Sequence, residues 1–416
     1  MGDPDLRTTL QAAIEARRDA ACAWLTNLIA FPSVQGAEAD AQAYILARWQ
    51  DLGLAAAYAE IPDALASDPE YSHSDHPQPY AGRHNVVARR AGAGGGRSLI
   101  LQSHSDVIPA GDWAEAFVPR CDGVTITGRG ATDAKGQVVT MLLAVAALAD
   151  AGVTLRGDLE CQVVIEEEVG GNGALALIRQ GCTADGVIVL EGTGGHVHPA
   201  NRGAVWFRAT TTGRSLHMGR RHEGVNAIEK MVEVIQRMLA YEERLVAESR
   251  GQPLFERYAN PVQLCLGTIR ADGWPSMVAD RCVLEGGVGF LPNKTLGEIR
   301  QELTEAVLAT DDAWLREHFT LEFPKLHNDA YRIPADHPLP VTVSRAAREA
   351  GLAAEVFGWN VSCDARLYNR LAGLPTVVFG PSEISQAHAA GESIRVDEML
   401  AGATALALAV ARWCGL

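Results

Sequence analysis

The sequence predicts an α/β fold with a mostly parallel, buried sheet, into which a smaller α+β unit is inserted. Three observations lead there. All-apolar strand-like runs such as "DGVIVL" alternate with helical segments at both ends of the chain, the pattern of a parallel sheet covered on both faces. Between the two ends the order of elements changes to βαββαβ, which is complete as a small sandwich by itself. The length of 416 residues also exceeds what one ordinary core holds. The expected division is one discontinuous unit, residues 1–201 and 324–416, and an insert of residues 202–323.

Along the chain, residues 5–53 read as two helices, the second ending at Gly53 as a C-cap. The stretch "SDPEYSHSDHPQPYAG" is too rich in Pro, Ser and His for regular structure. Two strands, "HNVVAR" and "SLILQSH", are joined by "AGAGGG", which predicts a hairpin. Those glycines complete neither a dinucleotide fingerprint nor a Walker loop. A helix at 134–151, a strand at 158–165, a helix at 171–181 and a strand at 185–190 follow. The insert reads as strands at 204–212, 262–270, 277–289 and 318–323 with helices at 225–245 and 294–309. A helix at 338–350, a short strand near 354–357, the strand "PTVVFG" and a helix at 396–413 complete the chain.

Composition narrows the function. With 47% hydrophobic and 21% charged residues the chain is an ordinary globular protein. A net charge of −15, from 51 acids against 36 bases spread along the chain, argues against nucleic acid or an anionic membrane as partner. No apolar run reaches the roughly 18 residues of a membrane span, and the N-terminal segment lacks the apolar core of a signal peptide. The eight cysteines form no C-x-x-C pair and read as reduced thiols. A cytoplasmic location is expected.

The chemistry sits at strand ends. "LILQSHSDVIP" closes a strand with His104 and Asp106, and "GRGATDAKG" holds Asp133 between glycines. "VVIEEEVGG" ends with Glu166, Glu167 and Glu168, "VIVLEGTGG" with Glu191, and "QAHAAGES" supplies His388 after the last strand. Ligands of α/β sheets bind beyond the carboxyl ends of the strands, so these five segments are expected to converge on one crevice. Two imidazoles and three carboxylates suit two divalent ions, zinc first, with cobalt or manganese as alternatives. Three carboxylates and one hydroxide balance the charge of two such ions.

These segments, in this order, resemble the successive metal-site motifs of the M20 family of metallopeptidases and amidohydrolases, and the resemblance spans nearly the whole chain. It implies a zinc-peptidase-like catalytic domain and a lid or dimerisation domain. It further implies His104 and Glu191 on one metal, Glu168 and His388 on the other, and Asp133 bridging both. Glu167 matches the family's general base, and Asp106 the carboxylate that orients His104 through its other ring nitrogen. The implied reaction is hydrolysis of an amide bond by a hydroxide shared between the metals, with Glu167 carrying the proton from water to the leaving nitrogen. The glycines at 170, 171 and 173 are expected to let Glu167 and Glu168 share one site. Glu166 is expected to be structural, salt-bridged or solvated, so that Glu166→Gln does little. A cis peptide bond from Asp133 to Ala134 is also implied.

In the insert, "TGRSLHMGRRHEGVNAI" resembles the family segment whose histidine reaches the partner subunit's active site, which makes His217 a candidate oxyanion group acting in trans. Asn226 lies in the same segment and is a candidate substrate contact. "SCDARLYN" resembles the desuccinylase segment whose arginine grips a substrate carboxylate, which points to Arg366; pairing with Asp364 is the alternative. The family pattern is broken at Ser276 and Gly289, where relatives carry an asparagine and an arginine against substrate; Ser276 is kept as a candidate substrate contact, and Trp274 hints at an apolar or aromatic substrate part. Glu191, where dipeptidases of the family tend to have Asp, favours a deacylase acting on a small N-acyl amino acid or related compound, with a homodimer formed through the lid. The alternatives are a dipeptidase or carboxypeptidase with the same centre, and a binding or scaffold protein with a dead site.

Overall fold

The computed structural model describes residues 3–74 and 76–416. Its main sheet has seven strands, in the spatial order Ala55–Glu60, His84–Arg90, Leu159–Val164, Leu99–His104, Val187–Val189, Thr376–Phe379 and Val197–His198. The strands from Leu159–Val164 to Thr376–Phe379 are mutually parallel, and antiparallel neighbours close both sides. Alternate residues of these strands feed two separate cores. Leu99, Leu101, Ile188, Val377 and Phe379 pack into one, under the helices Lys135–Asp150 and Val396–Cys414. Ile100, Val187, Val189 and Val378 pack into the other, with helix Asn172–Arg179. A sheet apolar on both faces has to be covered on both, which is why its strands read as unbroken apolar runs.

A second, antiparallel sheet runs Leu264–Asp272, Arg281–Phe290, Gly203–Thr212 and Phe319–Glu322, and His327–Asn328 also pairs with Gly203–Thr212. Helices Ala227–Ser249 and Leu296–Leu308 give it a third apolar core, built from Met231, Val234, Met238, Phe290, Leu303 and their neighbours. Among the described residues no helix is long and apolar enough to cross a membrane.

Several sequence expectations change. The first 53 residues form three helices, because the first predicted helix breaks at residues 16–17 between Asp3–Glu15 and Arg18–Ile29. An unpredicted short helix, Ala313–His318, precedes the strand Phe319–Glu322. The strand near 354–357 is reduced to one bridge from Val197 to Val356, since the left-handed backbone at Ala354 (φ 60°) interrupts the extended run. The polar stretch at 67–82 is largely irregular as expected, with Asp75 outside the described residues.

The predicted hairpin does not form, because Leu159–Val164 inserts between its two strands and pairs with both. The glycine-rich connection instead lies against the segment before that strand, with Ala93 and Gly94 donating N–H to the carbonyls of Leu155 and Arg156, both at 2.8 Å. Main chains approach so closely here that a Cβ on Gly157 would stand 1.8 Å from the Arg97 carbonyl oxygen. Gly157→Ala is expected to destabilise the protein by about 1–3 kcal/mol through this overpacking, measured as a shift in the denaturant midpoint at unchanged slope.

Candidate metal centre

The parallel strands deliver the site. His104 closes the strand Leu99–His104, the three glutamates follow Leu159–Val164, Glu191 follows Val187–Val189, and His388 lies in the loop beyond Thr376–Phe379. These strands are neighbours with the same direction, so their carboxyl ends open on one crevice. Asp133 enters from the loop before helix Lys135–Asp150, and its peptide bond to Ala134 is cis.

Two donor groups form around Asp133. Ligand atoms of His104, Asp133 and Glu191 lie within 4.8 Å of one another, and so do those of Asp133, Glu168 and His388. His104 Nε2 is 3.1 Å from Asp133 Oδ1 and 3.8 Å from Glu191 Oε1. His388 Nε2 is 3.3 Å from Asp133 Oδ2 and 3.1 Å from Glu168 Oε2. Asp133 thus turns one oxygen to each group. Glu167 belongs to neither, with Oε2 4.0 Å from His104 Nε2.

Neighbouring side chains on an extended strand point to opposite faces, so the turn after Val164 has to bring Glu167 and Glu168 together. Glu166 adopts a left-handed backbone (φ 62°), as do Gly170 and Gly171 (φ 116° and 88°). Asp106 fixes the two residues after Glu166, its carboxylate accepting the backbone N–H of Glu167 at 3.2 Å and of Glu168 at 3.0 Å. Its own main-chain carbonyl, 2.9 Å from His104 Nδ1, is a closer partner for that ring than its carboxylate at 3.4 Å. Glu166 is buried and ion-paired with Arg83 at 2.7 Å. Of the two expected alternatives, the side chain is salt-bridged and not solvated.

Electrostatics test whether cations fit. Burial pushes the carboxyls of Glu167 and Glu191 well above the usual range, and nearby Asp364 adds to both. Glu168 is pushed up to about 7 by burial and then by Asp133. Hydrogen bonds to Asp133 and Glu168 raise His388 to about 10. Burial opposes the charge on His104, but its hydrogen bonds to Asp106 and Asp133 hold it well above the ordinary imidazole value. The raised proton affinity of both imidazoles marks a place where crowded carboxylates call for positive charge. Two divalent ions would supply that charge instead and leave the imidazole lone pairs free to bind them, so the donor set fits such ions.

A cavity of about 340 Å³ opens over these groups, walled by Trp206, Trp359, Leu326, Asn328, Val361 and Cys363 among others. The expected substrate contacts lie elsewhere within the chain. Arg366 is buried beneath the turn, with Nη2 donating to the Gly170 carbonyl at 2.8 Å; it neither lines the cavity nor ion-pairs with Asp364. Asn226 caps helix Ala227–Ser249, its Oδ1 accepting the Ile228 N–H at 2.9 Å. Ser276 accepts the Met218 N–H through its main chain at 2.8 Å. His217 is exposed, with Nδ1 accepting the Gly219 N–H. Trp274 is 70% exposed, and the aromatic walls of the cavity are Trp206 and Trp359 instead.

Sequence reasoning missed Glu392, although it lies inside the stretch "AHAAGES" that supplies His388. Strand Ser393–Arg395 pairs with Thr125–Thr127 and brings the buried Glu392 carboxylate under the Asp133 loop. There it accepts the N–H of Thr132 at 3.0 Å and of Asp133 at 3.1 Å and pairs with Arg129 at 2.8 Å.

Residues 100–412 match the model of Peptidase family M20/M25/M40. The chain belongs to this family. It is therefore a hydrolase of the M20 type, and its similarity to curated relatives extends over most of its length. It is 27% identical to the N-formyl-4-amino-5-aminomethyl-2-methylpyrimidine deformylase of Halalkalibacterium halodurans, over 98% of this chain and 97% of the relative. It is 29% identical to the protein of the same name in Bacillus subtilis, over 80% and 84%. Among solved structures, the Saccharomyces cerevisiae di-peptidase Dug1p superposes with a TM-score of 0.76 at 14% identity, covering 98% of each chain, a likeness of fold. In this M20 protein, Glu392→Gln is expected to weaken metal affinity by about 10–100-fold, as loss of a ligand-supporting carboxylate does elsewhere, read by competition with a chromophoric chelator.

Proposed function

We propose that the protein is a deacylase that hydrolyses the amide bond of a small N-acyl compound, either an N-acyl amino acid or an N-formyl amine. The observation that carries this reading is the placing of Glu167 beside, but outside, two donor groups that share Asp133 on the floor of a small cavity. His104 and Glu191 would hold one divalent ion, Glu168 and His388 a second, with Asp133 between them and zinc as the metal. Such ions supply a water of near-neutral pKa and polarise the scissile carbonyl.

Glu167 does the proton work. Burial raises its proton affinity, which suits a carboxylate that takes a proton from water and returns it to the leaving nitrogen. The cavity, at about 340 Å³, suits a small molecule, and its indole walls suit a flat or apolar acyl or amine part. The names of the two deformylases support an N-formyl substrate.

A homodimer through residues 202–323 belongs to the same proposal. Helix Ala227–Ser249 exposes Ile228, Val232 and Leu239, and the edge strand Leu264–Asp272 exposes Ile269. An apolar face of this kind is a candidate interface, and a dimer would allow the exposed His217 to serve the partner's site as an oxyanion donor.

A panel of N-formyl amines, N-acetyl amino acids and dipeptides, with and without chelator, tests the activity. Turnover of the N-acyl compounds that chelation abolishes is expected; turnover of dipeptides alone would replace the deacylase reading with a dipeptidase one. Glu167→Gln is expected to keep its metal and lose about 10²–10⁴-fold in kcat, whereas Glu168→Gln loses metal. For the dimer, mixing His217→Ala and Glu167→Ala chains is expected to restore activity at one site per mixed dimer; no recovery would put His217 in its own subunit's site or outside catalysis.

A further inference from the structure

Glu166 and the polar stretch at 67–83 have no part in the chemistry of Glu167 and the donor groups, yet they meet directly behind the catalytic turn. All four acceptor positions on the Glu166 carboxylate are filled. Oε1 accepts from Arg83 Nη2 at 2.7 Å and Gln35 Nε2 at 3.3 Å; Oε2 accepts from Tyr80 Oη at 2.6 Å and Asn172 Nδ2 at 2.9 Å. The partners are themselves held. Arg83 makes a bidentate pair with buried Glu38 at 2.7 and 2.6 Å, Tyr80 meets the Tyr71 hydroxyl at 2.9 Å, and Asn172 is bonded to the Ser72 main chain on both sides at 3.0 Å.

This carboxylate stands on a residue whose backbone is left-handed, a conformation a glutamate adopts only at a cost. Glycine or asparagine would relieve that cost but would not reach the four donors. From the other side, Asp106 accepts the N–H of the next two residues, and the carbonyl oxygens of Glu166 and Glu167 accept from Gly171 and Gly170, both at 2.8 Å. Residues 166–168 are therefore fixed by their side chain, their N–H groups and their carbonyls.

We infer that Glu166 is a positioning residue. Anchored by Arg83, Tyr80 and Asn172, it locks the left-handed step that sets the carboxylates of Glu167 and Glu168 side by side, with Tyr71 and Ser72 holding Tyr80 and Asn172 in turn. The inference rests on the roles proposed for Glu167 and Glu168. It does not depend on which amide is cleaved.

Glu166→Gln and Tyr80→Phe in the full chain test it. Three readouts are needed: kcat and KM on the best substrate of the panel, zinc affinity by chelator competition, and the melting temperature. Glu166→Gln is expected to lower kcat by about 10–100-fold with KM within about threefold, and to weaken binding of the more loosely held zinc by about tenfold. Tyr80→Phe, which removes one of the four donors and leaves the ion pair intact, is expected to show the same pattern at roughly threefold to tenfold. A lower melting temperature with kcat and zinc affinity within about twofold of the parent would overturn the inference and leave Glu166 a purely structural residue. If Glu166→Gln does not fold, Tyr80→Phe decides by the same comparison. If the parent turns over no member of the panel, the deacylase reading fails, and zinc affinity alone decides the role of Glu166.

Discussion

Repulsion among four carboxylates in one buried crevice is the constraint on which this structure depends. Asp133, Glu167, Glu168 and Glu191 crowd around two imidazoles, and burial strengthens every interaction between them. Burial first, and then the neighbouring carboxylates, push the carboxyls of Glu167, Glu168 and Glu191 upward. A site of this composition has to be held together by something outside it. Four parallel strands and a helix-leading loop bring the groups in, and their direction is fixed by apolar packing on both sheet faces.

Strands alone do not specify where a carboxylate points. That is done by a surround of further hydrogen bonds, and much of it is itself acidic. Asp106 takes the N–H groups of Glu167 and Glu168, Glu392 takes those of Thr132 and Asp133, and Glu166 anchors the turn between strand and helix. Asp106 and Glu392 each fix a main-chain segment through its backbone N–H groups, whereas the Glu166 carboxylate is held by side-chain donors alone, and Glu166 and Glu392 each have a guanidinium nearby. These are Arg83 and Arg129. Arg366 contributes from beneath by holding the Gly170 carbonyl.

The legibility of these parts in the sequence follows from their range. The candidate donors His104, Glu168 and Glu191 were readable because each follows an apolar run, so that one local pattern gives both the strand and its chemistry, whereas Asp133 and His388 stand in loops. The βαββαβ order was readable for the same reason. Pairing partners were not: whether "HNVVAR" and "SLILQSH" form a hairpin depends on the competing strand Leu159–Val164, which lies far along the chain from both. Arg366 was read as a substrate contact from the resemblance of "SCDARLYN" to a desuccinylase segment, and its bond to the Gly170 carbonyl has no signature in sequence. Trp274 and Trp206 are equally conspicuous as letters, and of the two only Trp206, on a strand paired with His327–Asn328, walls the cavity.

Part of the cavity wall comes from a different segment than the donor groups. The donor groups and Glu167 belong to the parallel sheet, whereas Trp206, Leu326 and Asn328 approach from the antiparallel one, where Trp206 donates its main-chain N–H to the Leu326 carbonyl at 2.8 Å. Asn328 ties that side to the other through Ser362, at 3.0 Å. The side chains at 206 and 326 belong neither to the two donor groups nor to the turn that holds Glu167. The strand-end motifs therefore carry the family resemblance in this sequence, while the cavity walls from the antiparallel sheet carry no such local pattern.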